Sequence, residues 1–519
     1  MAPHSFTATK AETPVADFVS LSSPIPQTPP LHVDQEPPSE KTYESMLVNT
    51  VLFTSVGLAL LHPMQYGWTV SQVNLSTFHN EDACNARPVA PGTCLMFPGH
   101  SSGSWKWVVN LWIVGGVVGS IGCAKISDHF GRKKALMMNA IIMIIGAVVQ
   151  ASAPSLTAYA IGRFISGVAS GAGSALPNGY INEISPPHLR NRLGSMYQIS
   201  LCFFIILVGS SFFFANTSSG WRYIGGFPIV LASLFLLGST KFMVESPVWL
   251  LNQGRREEAE HEIARLFGEH NIELAMSWLN PVESNTASTV EQGNAIAEHL
   301  ESAGNPWKAL FSAEFREQTI IALMLSLGQQ LSGINVVFLY SSAMFKDAGL
   351  SDDRIGSMVV NVVNVLPTLF AGGLGTRYGN RRMILIGHIV MMLSCVGIMV
   401  ALSANSPVVS IVFTALYVTA FAITLGPLVF VVLTAMFPNA LRASGTSLCL
   451  FVNWLGVLVI GVGYPYVSDA LDDLAFLPFV VLLAGFGFFL FKFLPETAGK
   501  TSEEIQDIFR RKRKALEVQ

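Results

Sequence analysis

Residues 329–335 read Gln329-Gln330-Leu331-Ser332-Gly333-Ile334-Asn335 and lie inside an apolar stretch that runs from about residue 319 to residue 340. A bilayer-spanning helix needs about 20 largely apolar residues, and carboxamides that faced lipid would leave donors and acceptors unpaired at a cost of several kcal/mol. These side chains must therefore face a cavity, a ligand or a neighbouring helix, and helix–helix contact is the plainer explanation. Uncharged groups that both donate and accept suit a neutral, hydroxyl-rich solute, and the glycine lets the backbone bend.

The composition indicates a membrane protein. Hydrophobic residues make up 51% of the 519 residues and charged residues 13%, with a mean hydropathy of +0.47 and a formal net charge of −3. These values are far from those of an ordinary soluble domain, and no basic domain suggests a nucleic-acid partner. The sequence contains no set of residues typical of a nucleophile, a metal site or a nucleotide loop, so we expect no enzymatic activity and no cofactor.

Apolar runs of spanning length recur about twelve times along the chain, which predicts an all-α membrane protein built from two six-helix bundles. A charged stretch rich in helix-forming residues separates the bundles and predicts a cytoplasmic helical linker. The predicted domains are a disordered tail at 1–45, a first bundle at 46–244, the linker at 245–318, a second bundle at 319–494 and a tail at 495–519. We expect the basic cluster of the last tail to contact anionic lipid.

The distribution of basic residues predicts the orientation in the membrane. Basic clusters lie at 133–134, 190–192, 255–256, 381–382 and 510–514, all on one side of the topology, which the positive-inside rule makes cytoplasmic together with both termini. We expect a multi-pass protein of the plasma membrane. The loop at 68–104 lies on the opposite side. Its Cys84 and Cys94 are either disulfide-bonded or two free thiols, and its Asn74 is a candidate glycosylation acceptor.

Motifs of the first half recur in the second half at nearly constant spacing. Gly131 corresponds to Gly379, Arg190 to Arg442 and Glu245 to Glu496, at offsets of 248, 252 and 251 residues. Two duplicated bundles predict a binding site near the membrane midplane between them. The repeat therefore favours a transporter over a receptor or a channel.

The same motifs carry a resemblance to a known family. The run at 329–335 is the most specific of them, and the others lie at 128–133, 162–163, 182–186, 245–250, 453–454 and 495–497. On these residues the chain resembles the sugar porters of the major facilitator superfamily, close to the facilitative glucose transporters. The resemblance extends over residues 46–500 and implies transport by alternating access.

The resemblance implies a hexose site built from carboxamides and aromatic rings. Gln329, Gln330, Asn335, Asn361 and Asn453 would bind the sugar hydroxyls, and Trp454 would pack on the pyranose ring, an arrangement typical of ligand pockets. Phe430 stands where the family has a tryptophan in the wall of the site. Phe338 and Tyr340 would close over the sugar from outside. Helix packing is the alternative for these two residues, and a membrane anchor is the alternative for Trp454.

The resemblance also implies salt bridges at the cytoplasmic helix ends that hold the outward-facing state. Their candidate members are Asp128, Arg132, Arg163, Glu183, Arg190, Glu245, Arg381, Arg442 and Glu496. Taken alone, each would be a solvated loop charge. The second half departs from the family pattern, because Thr376 and Ala435 stand where acidic residues are usual. We therefore expect weaker salt bridges in that half and a larger population of inward-open states.

The transport mode follows from a further departure. Proton-coupled members carry an aspartate in the first span, where an ionisable group must load and release a proton. Thr69 stands at that position, and His62 is the only readily titratable side chain between Met46 and Thr69. We expect facilitated uniport of glucose and other hexoses, with proton symport and a non-transporting sugar sensor as alternatives. Gly209 replaces a glutamine usual in the fifth span, which favours a broad hexose selectivity that includes fructose.

Overall fold

The computed structural model describes residues 48–75, 78, 81–86, 88–279, 306–347, 353–404, 406–500 and 502–517. The predicted amino-terminal tail and much of the predicted linker lie outside these ranges. All the regular elements that the described residues form are helices, which confirms the all-α prediction.

The first bundle contains six spans, of which the first is divided at Leu60 and the sixth at Phe227. The division at Phe227 precedes Pro228, whose ring suits the first turn of a helix and cannot continue one. The helices are α1 (Thr50–Ala59), α2 (Leu61–Ser71), α3 (Glu81–Asn85), α4 (Ser102–Phe130), α5 (Arg132–Ser152), α6 (Leu156–Ile184), α7 (Pro187–Ser211), α8 (Gly220–Gly226) and α9 (Pro228–Phe242).

The first helices of the linker are packed onto the first bundle, whereas its last described helix contacts the second bundle. Its described helices are α10 (Pro247–Asn252), α11 (Arg256–Phe267), α12 (Ile272–Leu279) and α13 (Pro306–Leu310). The main-chain N–H of Asn49 donates to the Leu266 carbonyl at 2.9 Å, and its side chain donates to the Arg265 carbonyl at 3.0 Å. These two bonds satisfy carbonyls that a helix end leaves open. We call the side that carries α10–α12 the linker face and the opposite side, which carries α3, the loop face.

The second bundle also contains six spans, and a last helix follows it. These helices are α14 (Arg316–Leu331), α15 (Ile334–Asp347), α16 (Asp353–Tyr378), α17 (Asn380–Ser403), α18 (Pro407–Ile423), α19 (Leu425–Met436), α20 (Asn439–Leu471), α21 (Leu477–Phe493) and α22 (Ser502–Glu517). Within the described ranges, nine helical segments are long and apolar enough to cross a membrane. The divided span α1–α2, the small-residue-rich α6 and the 17-residue α21 bring the number of spans to twelve.

Two spans of the second bundle are interrupted near their middle. Gly333 separates α14 from α15 with φ of +97°, and a Cβ there would lie 2.9 Å from the Phe479 ring, so both the backbone and the space require glycine. Thr424 separates α18 from α19. A break inside a membrane span is tolerated where other groups satisfy the backbone. At the first break, the Tyr417 hydroxyl donates to the Ser332 carbonyl at 2.8 Å.

Glycines bring α4 and α6 of the first bundle into backbone contact. A Cβ at Gly119 would lie 2.0 Å from the Val168 carbonyl oxygen, and a Cβ at Gly167 would lie 2.1 Å from that of Trp112. Small residues at such interfaces let membrane helices approach closely, because packing rather than the hydrophobic effect holds helices together in lipid. The first bundle is therefore held together along this seam.

The last helix lies on the linker face against the second bundle. Ile505 and Phe509 are buried, and the Gln506 side chain donates to the Met436 carbonyl at 2.8 Å. Two residues of its basic cluster form ion pairs with the start of the second bundle, Lys512 with Glu317 and Arg513 with Glu314. For these two residues the structure shows protein partners instead of the predicted lipid contact.

The loop face carries the predicted cysteine pair. Cys84 and Cys94 form a disulfide, which decides between the two alternatives. Asn74 is only 5% exposed, so the structure contradicts its candidacy as a glycosylation acceptor, which must be accessible. Among the described residues, Cys84, Cys94 and His100 are the one cluster of three potential metal ligands, and the disulfide engages both sulfurs.

The close contact of α4 and α6 at Gly119 and Gly167 allows a prediction about stability. We expect Gly119→Ala to destabilise the protein by about 1–3 kcal/mol, because the added methyl group would force the two backbones apart. Gly122→Ala, on the same helix, is the matched control, since a Cβ at Gly122 would meet no atom within 4 Å. Thermal unfolding in detergent measures both variants, and an equal loss of stability would contradict the contact.

Candidate functional site

Four of the five predicted carboxamides form one hydrogen-bonded network. Asn453 Nδ2 donates to Gln329 Oε1 at 2.7 Å, and Gln330 Nε2 donates to Asn453 Oδ1 at 2.8 Å. Asn335 Nδ2 donates to Gln330 Oε1. The break at Gly333 makes this last bond geometrically feasible, because Gln330 precedes the break and Asn335 follows it.

The network is anchored to the start of α19. Gln329 Nε2 donates to the carbonyl oxygens of Leu425 and Gly426 at 2.7 and 3.1 Å. Asn453 Nδ2 also contacts the Ser326 carbonyl at 3.2 Å. The four carboxamide residues are each less than 10% exposed, so their mutual bonds satisfy groups that would be costly if left alone. The arrangement offers a solute a compact array of uncharged donors and acceptors.

Asn361, the fifth predicted carboxamide, stands apart from the network. It lies on α16 and faces α7 of the first bundle, where a Cβ at Gly209 would fall 2.9 Å from Asn361 Nδ2. Its amide forms no hydrogen bond with another described residue, although the side chain is 8% exposed. A solute would therefore find this amide free. The glycine at 209 provides the space that the amide occupies.

Trp454 lies in a socket made by the first bundle. Its side chain is only 2% exposed, and its Nε1 donates to Ser174 Oγ at 3.2 Å. The rings of Tyr66 and Trp112 lie 5.6 and 5.4 Å away, centroid to centroid. Beneath the ring, a Cβ at Gly116 would fall 2.1 Å from its edge. In this structure the protein covers the face that was predicted to contact a sugar ring.

The predicted outer gate lies on α15 and packs within the second bundle. The Tyr340 hydroxyl donates to the Gly461 carbonyl at 3.0 Å, and the Tyr340 ring lies 5.7 Å from that of Tyr464. Phe338 is 8% exposed. Phe430 is partly buried on α19 and packs against the core. These contacts agree with the packing alternative, and they leave a gating role as a proposal.

The linker face of the first bundle contains the predicted ion pairs. Arg132 pairs with Glu183 at 2.9 Å and with Asp128 at 2.8 Å. The Ser246 hydroxyl donates to the same Glu183 carboxylate at 2.5 Å. This cluster connects α4, α5 and α6 with the start of α10.

Glu245 caps a helix instead of forming a salt bridge. Its carboxylate accepts the main-chain N–H groups of Arg132 and Lys133 at 2.8 and 3.1 Å, at the start of α5, where the helix dipole favours an anion. Burial raises the pKa of Glu245, and these backbone donors oppose that shift. Gly131 has φ of +96°, and a Cβ there would lie 2.5 Å from the carboxylate.

Glu496 repeats this arrangement in the second bundle. It accepts the main-chain N–H groups of Asn380 and Arg381 at 2.9 and 3.2 Å. Gly379, with φ of +92°, lies against the carboxylate as Gly131 does. The structure therefore contradicts the prediction that Glu245 and Glu496 form salt bridges, and it explains why a glycine precedes each capped helix.

The remainder of the ionic cluster has no counterpart in the second bundle. At the offsets of the sequence repeat, Thr376, Asn380, Ala435 and Thr497 correspond to Asp128, Arg132, Glu183 and Ser246. A neutral hydrogen bond of 3.1 Å from Asn380 Nδ2 to Thr497 Oγ1 takes the place of the ion pairs. The same helix junction is thus ionic in one half and neutral in the other.

Arg163 lies far from the linker face, and its predicted place in the salt bridges is wrong. It is fully buried near the loop-face end of α6, some 20 residues and about 30 Å of helix from Glu183. Its guanidinium donates to the carbonyls of Thr69 at 2.6 Å and Val108 at 3.4 Å and lies over the Trp112 ring. No carboxylate of the described residues pairs with it.

The remaining predicted arginines contact helix ends. They donate to main-chain carbonyls, Arg190 to Ser185, Arg381 to Phe491 and Arg442 to Thr434. Neither Arg190 nor Arg381 pairs with a carboxylate of the described residues, which contradicts their predicted salt bridges.

Sequence reasoning missed the socket around Trp454. A tyrosine, a tryptophan, a serine and a glycine on three different helices form it, and nothing in their spacing connects them. One signal was present, because residues 166–174 are all small apart from one valine. Such a run indicates close helix contact, though it does not identify the partner.

The chain matches a protein-family model and is similar to known glucose transporters. Residues 55–509 match the family model described as "Sugar (and other) transporter". The chain is 31% identical over 499 residues to facilitated glucose transporter member 4 of solute carrier family 2 from Homo sapiens, covering 93% of this chain and 94% of that protein. It is 30% identical to the glucose transporter GlcP of Staphylococcus epidermidis, covering 77% and 87%.

Solved structures show the same fold. A proton:xylose symporter of the major facilitator superfamily, bound to 6-bromo-6-deoxy-D-glucose, superimposes with a TM-score of 0.73 at 24% identity, over 89% of this chain and 99% of that chain. The partially occluded inward-open xylose transporter from E. coli gives a TM-score of 0.69 at 24% identity, over 87% and 100%. The similarity confirms the predicted architecture of twelve helices in two bundles.

The carboxamide network makes a prediction about two asparagines. We expect Asn453→Ala to lower the free energy of unfolding by about 1–3 kcal/mol, because it leaves buried amide groups of both glutamines without partners. Asn361→Ala should leave stability nearly unchanged, because this amide bonds to no other described residue. Thermal unfolding of the two purified variants tests the difference, and equal losses would contradict it.

Proposed function

This chain belongs to the sugar transporter family, and we propose that it carries a hexose, glucose first among them, across a membrane by alternating access. The observation that carries this proposal is the buried network of Gln329, Gln330, Asn335 and Asn453. Neutral carboxamides match sugar hydroxyls, each of which donates and accepts. The protein acts as a transporter and not as an enzyme.

The network also suits weak, reversible binding. A sugar hydroxyl would replace an existing hydrogen bond between two amides. Each contact would therefore contribute only about 0.5–1.5 kcal/mol to the binding free energy. Asn361 differs, because its amide is free and can bind a hydroxyl directly. Gly209, opposite this amide, provides the space that the amide occupies. We propose that the selectivity includes fructose because the glutamine usual in the fifth span is missing here.

Alternating access would move the first bundle, together with its packed linker helices, against the second. We propose that the linker face is cytoplasmic, as the basic clusters of the sequence favour, and that the membrane is the plasma membrane. In this structure the bundles touch on the loop-face side of the site, where Lys106 of α4 lies 3.9 Å from Asp469 of α20. The structure therefore resembles a carrier closed towards the outside.

Uniport is supported by the charges inside the bundles. Among the described residues, Arg163 is the only fully buried Lys, Arg, Asp or Glu, and a guanidinium does not release its proton in a protein. It contacts the carbonyl of Thr69, the position at which the resemblance to sugar porters implies the proton-carrying aspartate of symporters. A threonine beside this arginine cannot cycle a proton.

We further propose that the two junctions of the linker face hold the outward-facing state unequally. In the first bundle Arg132 connects Glu183 and Asp128, whereas Asn380 has only the hydroxyl of Thr497. Partly buried ion pairs are stronger than neutral hydrogen bonds when both partners are present. The second junction should therefore open more readily, which favours inward-open states.

Adding the missing pair tests this asymmetry. We expect Asn380→Arg combined with Ala435→Glu to shift the protein towards the outward-facing state by roughly five-fold, the effect of about 1 kcal/mol from one ion pair. Asn110→Cys, on the loop-face part of α4, reports the shift as faster reaction with an impermeant maleimide. Ala435→Glu alone is the control and should lack the effect. Equal labelling rates in all variants would contradict the proposal that ion pairs at the linker face stabilise the outward-facing state.

Transport itself is tested in proteoliposomes with labelled glucose, with and without an inside-alkaline pH gradient. We expect uptake that equilibrates without accumulation and ignores the gradient. Gln330→Ala should reduce uptake at least about ten-fold, because one or two hydrogen bonds of about 1 kcal/mol are lost. Gln253→Ala, on the linker, should not reduce it. Accumulation driven by the gradient would establish symport, and folded protein without hexose uptake would reject the proposal.

A further inference from the structure

We infer that Trp454 is a positioning residue that connects the hexose site to the first bundle. Whether its ring stays seated, that is, enclosed by Tyr66, Trp112, Gly116 and Ser174 of the first bundle, then depends on what Asn453 binds. The inference rests on the proposed hexose transport for its link to the sugar. Its structural part, the link between ring seating and loop-face closure, stands independently. It assigns to Trp454 the coupling of the two bundles instead of a stacking contact with the sugar.

The socket is built for one ring by residues of the opposite bundle. The indole N–H, which needs a partner when buried, finds it in Ser174 of α6 at 3.2 Å. Tyr66 and Trp112 flank the ring. Only glycine fits at 116, because a Cβ there would overlap the ring. The single hydrogen bond of the Trp454 side chain therefore crosses between the bundles.

The neighbouring residue joins the same helix to the sugar site. Asn453 precedes Trp454 on α20, so the two side chains leave the helix about 100° apart. Asn453 uses both ends of its amide, donating to Gln329 and accepting from Gln330. A sugar that replaces either bond changes the force on the turn of α20 that carries Trp454. The glutamines of α14 and the socket of the first bundle thus hold one helical turn from two sides.

Further contacts connect the seated ring with closure of the loop face. Nearer the loop face than the socket, Gly461 of α20 packs against α4. A Cβ added at Gly461 would lie 2.4 Å from Ile113 Cδ1 and 3.2 Å from Asn110 Oδ1. At the end of the same helix pair, Lys106 approaches Asp469 and the Tyr466 ring. The ring and this line of contacts lie between the same two helices. Opening of the loop face should therefore release the ring.

The first test uses transport from each side in proteoliposomes. Ser174→Ala, Trp454→Phe and Gly116→Ala each weaken seating, so states open at the loop face become more populated. We expect the KM for zero-trans entry from the loop face to fall by roughly three- to ten-fold, as the loss of one hydrogen bond predicts. The KM for exit should rise, while Vmax/KM stays equal in both directions. Gly122→Ala on the same helix is the control and should change neither KM.

A double-mutant cycle separates the specific contact from general packing. Because Ser174→Ala and Trp454→Phe remove the same hydrogen bond, the double variant should shift KM no further than either single variant. Additive shifts would overturn the contact. A fall in Vmax with unchanged KM in both directions would show that these residues act only in folding, and it would overturn the inference.

The second test needs no sugar. In a protein that carries Asn110→Cys, the four free native cysteines are buried and the other two are disulfide-bonded, so maleimide labelling reports the loop face. We expect Ser174→Ala to raise the labelling rate roughly three- to ten-fold and Gly122→Ala to leave it unchanged. Unchanged labelling in Ser174→Ala would overturn the inference even if hexose transport is established. Raised labelling without hexose transport would retain the coupling and reject the proposed substrate.

Discussion

Buried carboxamides must be hydrogen-bonded, and the second bundle is arranged around this requirement. Gln329, Gln330, Asn335 and Asn453 come from both sides of a broken span and from a second helix, and they satisfy one another. Without the break at Gly333, a continuous helix would carry Gln330 and Asn335 onto different faces. Gly333 with its positive φ, the start of α19 and the middle of α20 therefore have to meet at one point, and that point is the candidate sugar site.

The two halves use the same backbone device and different side chains at their linker-face junctions. A glutamate caps the third span of each half, α5 in the first and α17 in the second, and a glycine with positive φ makes room for it. Around this shared cap, the first half adds Arg132 and two acidic partners, whereas the second half has only a neutral pair. The cap, which the backbone of each junction requires, is common to both halves. The ion pairs act between helices, and the second half forms the same junction without them.

The bundles also differ in how tightly they are built. In the first, glycines bring the backbones of α4 and α6 into contact, and the linker helices pack on its linker face. Each bundle has two interrupted spans, but in the second bundle both interruptions lie beside the carboxamides. Solute contacts can change there during alternating access, because the backbone is already irregular. Trp454 crosses from the second bundle into the first.

The sequence by itself determined the class, the two bundles and the residues of the carboxamide site. Apolar runs of about 20 residues with few charges indicate membrane helices, and polar groups within them must be paired or functional. The ion pairs of Asp128, Arg132 and Glu183 were also readable, because their motifs lie at helix ends. Tertiary structure alone decided the caps made by Glu245 and Glu496, the position of Arg163 and the seating of Trp454. Each depends on which helices are neighbours in space, and a residue's type and spacing show that it needs a partner without showing which partner the fold supplies.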